Sequence, residues 1–385
     1  MASDPTLPGI QQAKAADRSV SLLPHGPPLF LGEAGQGPLD RCEEIGIKRD
    51  FERLYGPPSG ESELPAAVAL CLANGGAPAL VLRVAGGQAD RGTPRAPELA
   101  DYRAAFDWLE RNGPRFGLLV LPRGGAGTPE PTALYAAASE LCRRRRAILL
   151  LEPPLAWSDL AAAIAGLPTL RAGVALENAA LYLPRLLVRQ GGALRAVGPA
   201  GAVAGAIVAT DRQHGPWTAP AGVQLQGLEG LVLKVNESGN NQLSALGVNV
   251  IRQLPQGVLL WGARTLAGAD ARASEWKYLP VRRLALAIED SLEQGLRWTA
   301  FEPNGEPLWA QVREASGVLL HELFRAGAFA GGNEREAWFL RCDSSTMTAA
   351  DIAAGRLNVV VGFAPVRPAE FVVLRLGLWT RADDD

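Results

Sequence analysis

The residues best equipped for chemistry stand together in TDRQHGPWTAPAG, residues 210–222. Asp211 and His214 are three apart, and a carboxylate orienting an imidazole is the acid–base half of a Ser-His-Asp hydrolase. The nucleophile is not supplied. The chain has no G-x-S-x-G, the sharp turn that presents a serine above an α/β sheet, and Ser139, Ser238 and Ser316 stand in ordinary contexts. The only other histidines are His25, in a Pro/Gly turn, and His321, inside a helical pattern. His214 therefore reads as a turn histidine rather than a base. Gly215-Pro216 reads as a tight turn, Trp217 as an apolar anchor, and Pro220-Ala221-Gly222 as a second turn, together a structural corner.

Other candidates fare no better. RGGAGTPEP (123–131) has the strand-to-helix placement of a phosphate loop but neither G-x-G-x-x-G nor G-K-[ST], and Pro129 and Pro131 remove N–H donors. It reads as a surface turn. RRRR (143–146) closes a helix, where cations meet the carbonyl end of the dipole, and no interleaved aromatics offer a stacking platform for bases. Glu289, Asp290 and Glu293 share a helix face without metal-ligand partners. Cys42, Cys71, Cys142 and Cys342 have neither metal nor redox spacing and read as buried free thiols of a reducing compartment. Lys and Arg total 38 against 40 Asp and Glu, so no global field draws the chain to nucleic acid or to an anionic membrane. No apolar run approaches the roughly 20 residues that span a bilayer, and the N-terminus has no apolar signal core. The residues thus predict a non-enzyme without cofactor or metal, kept in the cytosol, with neither nucleic-acid binding nor membrane insertion.

The elements around these residues fall into two textures. Residues 1–25 are polar, broken by Pro5, Pro8 and Pro24, and read as an extended arm. From Leu29 to about Val208, apolar runs at 29–32, 79–85, 117–122, 147–153 and 171–177 alternate with helical patterns at 66–76, 99–113 and 132–146. Strands apolar on both faces that alternate with helices predict a largely parallel α/β sheet. After about residue 275 come two amphipathic helices (281–298 and 308–327), a Thr348-x-x-Asp351 capping box, and strands at 356–364 and 370–380, an α+β pattern. The last strand, EFVVLRLGLWT, is apolar on both faces apart from Arg375, as expected of a strand covered on both sides and free to leave its own domain.

With these residues in view, the chain resembles the contractile tail sheath proteins of phages, R-type bacteriocins and phage-like injection systems. TDRQHGPWTAPAG is similar to that family's T-D-x-x-x-G-x-W-x-A-P-A-G signature, with Asp211, Gly215, Trp217, Pro220 and Gly222 at the matching positions. LGVNVIRQLPQGVLLWGARTLA (246–267) resembles a family segment in which an Asn-x-Ile-Arg stretch leads into a strand and W-G-A-R-T-L, with Trp261 and Arg264. YLPVRRLALAIEDSLEQGLRWTAFEPNGEPLWAQVR (278–313) and residues 339–376 are similar to the family's C-terminal half. NAALYLPRLLV (178–188) carries Arg185 where the family has an aromatic residue.

The resemblance implies an α/β subtilisin-like domain without a catalytic triad, a C-terminal α+β sheath domain and extended N- and C-terminal arms. The expected boundaries are 1–25 for the first arm, 26–275 for the α/β domain and 276–385 for the C-terminal domain with its linking strand. The implied function is that of a structural subunit which stacks in hexameric rings around an inner tube, contracts from a metastable extended state and drives the tube through a target envelope. Implied partners are further copies, the inner tube, and baseplate and terminator or cap proteins, with assembly in the cytoplasm into a virion or tail-like particle. Linking strands are expected around Pro8, Gly9 and Ile10 and around Phe371, Val373, Arg375 and Leu376, and tube contact at Arg313, Glu314 and Arg325. Two other readings stand beside this one: a sheath paralogue confined to the baseplate or cap, whose first arm lacks the usual aromatic-acidic run, and an α/β hydrolase with a cleft at Asp211 and His214.

Overall fold

The computed structural model describes residues 18–57, 61–86, 95–125, 131–366 and 372–380. The chain divides into two compact units, Pro24–Ala287 and Ile288–Asp385 with the segment preceding Pro24. The division falls within the helix Leu279–Gly295.

Among the described residues the first unit carries eleven strands: β1 (Pro28–Glu33), β2 (Glu43–Ile45), β3 (Ala79–Val84), β4 (Leu118–Val120), β5 (Ile148–Leu151), β6 (Ala179–Leu183), β7 (Leu186–Gln190), β8 (Ala193–Val197), β9 (Gly230–Leu231), β10 (Asn249–Leu254) and β11 (Gly257–Trp261). Eight form one sheet in the order β11-β10-β6-β5-β4-β1-β3-β2. Its six inner strands are parallel, and antiparallel β2 and β11 close the edges. Successive side chains point to opposite faces of a strand, so Leu29 and Leu31 enter one core while Phe30 enters the other. One core takes the helices Leu64–Ala73 and Ala200–His214, and the other takes Leu99–Asn112, Pro131–Arg144 and Leu160–Leu170. Burial on both faces is what made these strands read as unbroken apolar runs. A separate antiparallel ribbon has the order β8-β7-β9.

The strand expected at 171–177 is not there. Arg171 ends the helix Leu160–Leu170, the turn passes through Gly173 at φ +73, and the strand begins eight residues past Arg171, as β6. The apolar alternation of 171–177 belongs to a turn and a single 3-10 turn, Leu176–Asn178. The helix Ala200–His214 is also absent from the pattern reading. Nearly every residue from Ala200 to Ile207 is buried, so no polar stripe marks a helical period.

The second unit carries an antiparallel sheet of β12 (Trp338–Arg341), β13 (Arg356–Phe363) and β14 (Val372–Trp379), together with the helix Glu306–Arg325. The Thr348 capping box is present: its hydroxyl accepts from Asp351 N–H at 3.1 Å, and Asp351 accepts from Thr348 N–H at 3.0 Å. Residues 18–23 do not form a detached arm but pack within this unit. Val20 is buried and donates its N–H to the Ala315 carbonyl at 3.2 Å, Leu23 N–H reaches Ser291 Oγ at 2.9 Å, and Arg18 bonds Glu302 while its guanidinium lies 4.2 Å from the Trp298 ring.

Candidate functional site

The 210–222 stretch begins inside a helix, not a loop. His214 is the last residue of Ala200–His214, its side chain exposed, and its carbonyl accepts the Thr218 hydroxyl at 3.0 Å. The helix can run so deep because of its small residues. A methyl at Gly201 or Gly205 would collide with the backbone carbonyls of Ala67 and Cys71, so glycine lets two helices approach at backbone distance. Gly215, at φ +85, stops the helix, and the Trp217 indole lies over it so closely that any Cβ there would strike the ring. Pro220 is buried, and Gly222, at φ +84, donates its N–H to the Leu260 carbonyl at 2.7 Å, tying the corner to β11.

Asp211 does not orient His214. Both its oxygens accept from the Arg283 guanidinium, Oδ1 at 2.6 Å, in a bidentate pair in which Arg283 is almost wholly enclosed. Such a pair fixes position and orientation together. His25, near Arg283, is held well below the ordinary imidazole pKa by burial first and then by the charges of Arg283 and Arg115.

A second polar hub lies at Asn249, the first residue of β10. Its side-chain oxygen accepts Arg264 N–H at 2.7 Å, and its amide donates to the carbonyls of Leu181 and Arg264. Arg264 in turn donates to the carbonyls of Ser244 and Gly268 and to Asp270 Oδ1, the last at 2.8 Å. Trp261 is 41% exposed, with Arg252 5.2 Å from its ring centre. The four arginines of RRRR are similarly structural in part: Arg145 donates to four carbonyls around the end of the helix Leu99–Asn112, and Arg143 and Arg144 pair with Glu140 and Glu110. Cys71, Cys142 and Cys342 are buried free thiols, and Cys42 is half-buried and free.

A third cluster escaped pattern reading. Glu63, Glu152 and Arg185 are all buried at the N-terminal end of Ala200–His214. Arg185 donates to Glu63 and to the Pro153 carbonyl at 2.8 Å. Glu63 accepts Gly198 N–H at 2.8 Å, and Glu152 accepts Ala200 N–H at 3.3 Å, so both carboxyls cap one helix end. Burial raises the Glu152 carboxyl to about 8, against the opposing pull of Arg185. Sequence spacing could not join residues so far apart, and the signal that was available was Arg185 itself, an arginine set in the otherwise apolar run 179–188.

In the C-terminal unit, β14 pairs with β13 in register from Val372↔Phe363 to Trp379↔Arg356, so within one chain it is not free. Nor is it covered on both sides: burial alternates, with Val372, Leu374, Leu376 and Leu378 enclosed while Val373, Arg375, Gly377 and Trp379 are exposed. Among the described residues no strand pairs with its other edge. Pro8, Gly9, Ile10 and Phe371 lie outside the described residues. Of the residues expected at the tube, Glu314 and Arg325 are exposed, whereas Arg313 is half-buried, donating to the Cys342 carbonyl and to Glu306 at 2.8 Å.

Comparison with known proteins reaches the same family. Residues 272–378 match the phage tail sheath C-terminal domain. A putative prophage major tail sheath protein of Pseudomonas aeruginosa is 25% identical over 293 residues, 72% of this chain and 69% of that protein. The helical sheath of the anti-feeding prophage in its contracted state superposes with a TM-score of 0.72 at 28% identity, covering 97% of this chain and 99% of the other. The contracted PVC sheath complex, from an extracellular contractile injection system, gives 0.71 and 26%, covering 97% and 98%. Residues 272–378 thus carry the phage tail sheath C-terminal domain, and over almost its whole length the chain is similar to contractile tail sheath proteins.

Proposed function

We propose that this sheath subunit stacks in hexameric rings around an inner tube, is assembled in a metastable extended state, and shortens to drive the tube through a target envelope. The observation that carries the reading is the match of almost the whole chain to two sheaths in the contracted state. On this reading the α/β unit is the subtilisin-like domain of the family without a working triad, and the Asp211–Arg283 pair replaces an Asp–His dyad with a structural lock. The protein is then a non-enzyme whose work is stored in assembly, built in the cytoplasm into a virion or tail-like particle with baseplate and cap proteins as end partners. Among the described residues no helix is long and apolar enough to cross a membrane.

Linkage between subunits follows from main-chain pairing, which is indifferent to which side chains slide past it. The unpaired edge of β14 is the acceptor for a neighbour's strand, with Val373, Arg375 and Leu376 in that strand and the segment around Pro8, Gly9 and Ile10 as donor. Because Arg18 and Val20 are engaged within their own chain, the donor segment ends before them. Glu314 and Arg325 are the tube-facing candidates that remain open, and Arg313 acts by holding the chain at Cys342.

The test is electron microscopy of the purified chain at high concentration. Hollow striated cylinders of uniform diameter are the expected result. A monodisperse monomer at all concentrations would favour the paralogue confined to baseplate or cap. Removing residues 1–17 should leave a folded chain that forms no long sheaths, and sheaths of normal length from that variant would refute the linking role of the first arm.

A further inference from the structure

Two of the buried side-chain atoms that lack a partner among the described residues belong to one cluster: Glu152 Oε1 and Arg185 Nε. The cluster is unbalanced. Two carboxyls, Glu63 and Glu152, flank one guanidinium, all three less than a tenth exposed. Arg185 has given itself to Glu63. Two ionised carboxylates cannot share one buried counter-charge without large cost, so one of them keeps a proton. Glu152 is that one: burial and the charge of Glu63 both favour its neutral form.

The surroundings are complete enough to describe an exchange. Tyr135, on the helix Pro131–Arg144, accepts the Glu152 N–H at 3.2 Å. Arg123, following β4, stands 3.9 Å from Glu63 Oε1, a second cation already beside that carboxylate. Arg185 also reaches the Ala196 carbonyl of β8 at 3.5 Å. A cleft of about 380 Å³, lined among others by Glu61, Glu63, Arg123 and Arg195, brings solvent to the Glu63 side of the cluster.

We infer that the Glu63–Arg185–Glu152 cluster is a proton-gated latch that fixes the hairpin β7–β8 and the N-terminus of the helix Ala200–His214. In the closed form Glu152 is protonated and Arg185 pairs with Glu63. Loss of the Glu152 proton to water leaves a carboxylate that draws the Arg185 guanidinium from Glu63, which passes to Arg123. No covalent bond changes. The movement slackens the bonds of Arg185 to Pro153 and Ala196 and the cap that Glu63 makes on Gly198. The latch thus answers to alkalinity, and to any neighbouring group that enters the cleft and competes for Arg123.

The test uses the full chain and two readouts: the carbonyl stretch of a protonated carboxyl in the infrared, and hydrogen exchange across residues 186–205. At about pH 6 the wild-type chain should show the band, and by about pH 9.5 it should lose it. Over that interval exchange at 186–205 should rise about tenfold beyond the intrinsic chemical increase. Glu152→Gln should abolish both the band and the excess exchange. Glu63→Gln should leave Arg185 to Glu152 and remove the band already at about pH 6. A wild-type chain without the band at pH 6, a band that survives in Glu152→Gln, a band that persists at pH 6 in Glu63→Gln, or equal excess exchange in wild type and Glu152→Gln would each overturn the latch. The wild-type spectrum alone decides the first point should a variant not fold.

Discussion

The two ends of the helix Ala200–His214 solve the same problem in opposite ways. At the C-terminal end one carboxylate, Asp211, meets one guanidinium, Arg283, in a bidentate and charge-balanced pair. At the N-terminal end two buried carboxyls crowd one buried guanidinium, with only the more exposed Arg123 3.9 Å from Glu63 beside them, and in the proposed latch the remaining carboxyl keeps a proton. At the balanced end each charge meets its opposite in a two-point contact. The unbalanced end is held by a species that solvent can remove. The lesson is that burial alone does not make an ionic cluster rigid: stoichiometry of charge decides whether it is a bolt or a switch.

The comparison breaks most readily at the bolt. Arg283→Ala leaves the Asp211 carboxylate largely enclosed without its partner, and a loss of about 3–5 kcal/mol in denaturant unfolding is expected; a loss below about 1 kcal/mol would mean the pair is ornamental. Glu152→Gln sharpens the other end. The folded carboxyl titrates near 8, above the ordinary value of 4.5, so the wild-type chain binds the extra proton between those limits and loses stability as pH rises through them. Against wild type, the glutamine variant should gain on the order of a few kcal/mol between about pH 5 and pH 8 and then level off. A gap that stays flat with pH would contradict the raised carboxyl. In the middle of the helix, Gly201→Ala drives a methyl into the Ala67 carbonyl and should cost about 1–3 kcal/mol at every pH, read as a uniform fall in melting temperature. At the exposed C-terminus, His214→Ala should change stability by less than about 0.5 kcal/mol, and a larger effect would reopen a role for the imidazole.

What could be read from the residues follows from how each element is buried. The inner strands β1, β3, β4 and β5 were legible because both faces are apolar, and the helices Leu99–Asn112, Leu279–Gly295 and Glu306–Arg325 because one face is not. Ala200–His214 was hidden because its first eight residues are enclosed all round, and β6 was displaced because the turn after Leu170 mimics a strand in its apolar content. Trp217 and Gly215 were readable as a corner, since a large ring beside a glycine is a local signal. The partner of Asp211 was not: Arg283 lies 72 residues away, and no spacing rule connects them. The same holds for Glu63 and Arg185, separated by 122 positions.

The exposed face of β14 also bears on how such a chain survives before it is used. A strand with an unmatched edge and an outward tryptophan is the pattern from which stray copies nucleate clumps. Arg375 is the single charge within β14, midway along its outward face. Two such strands meeting indiscriminately in register would bring like charges together, whereas a correctly offset neighbour need not. A charge at that place is a device by which natural sheets discourage indiscriminate edge-to-edge pairing.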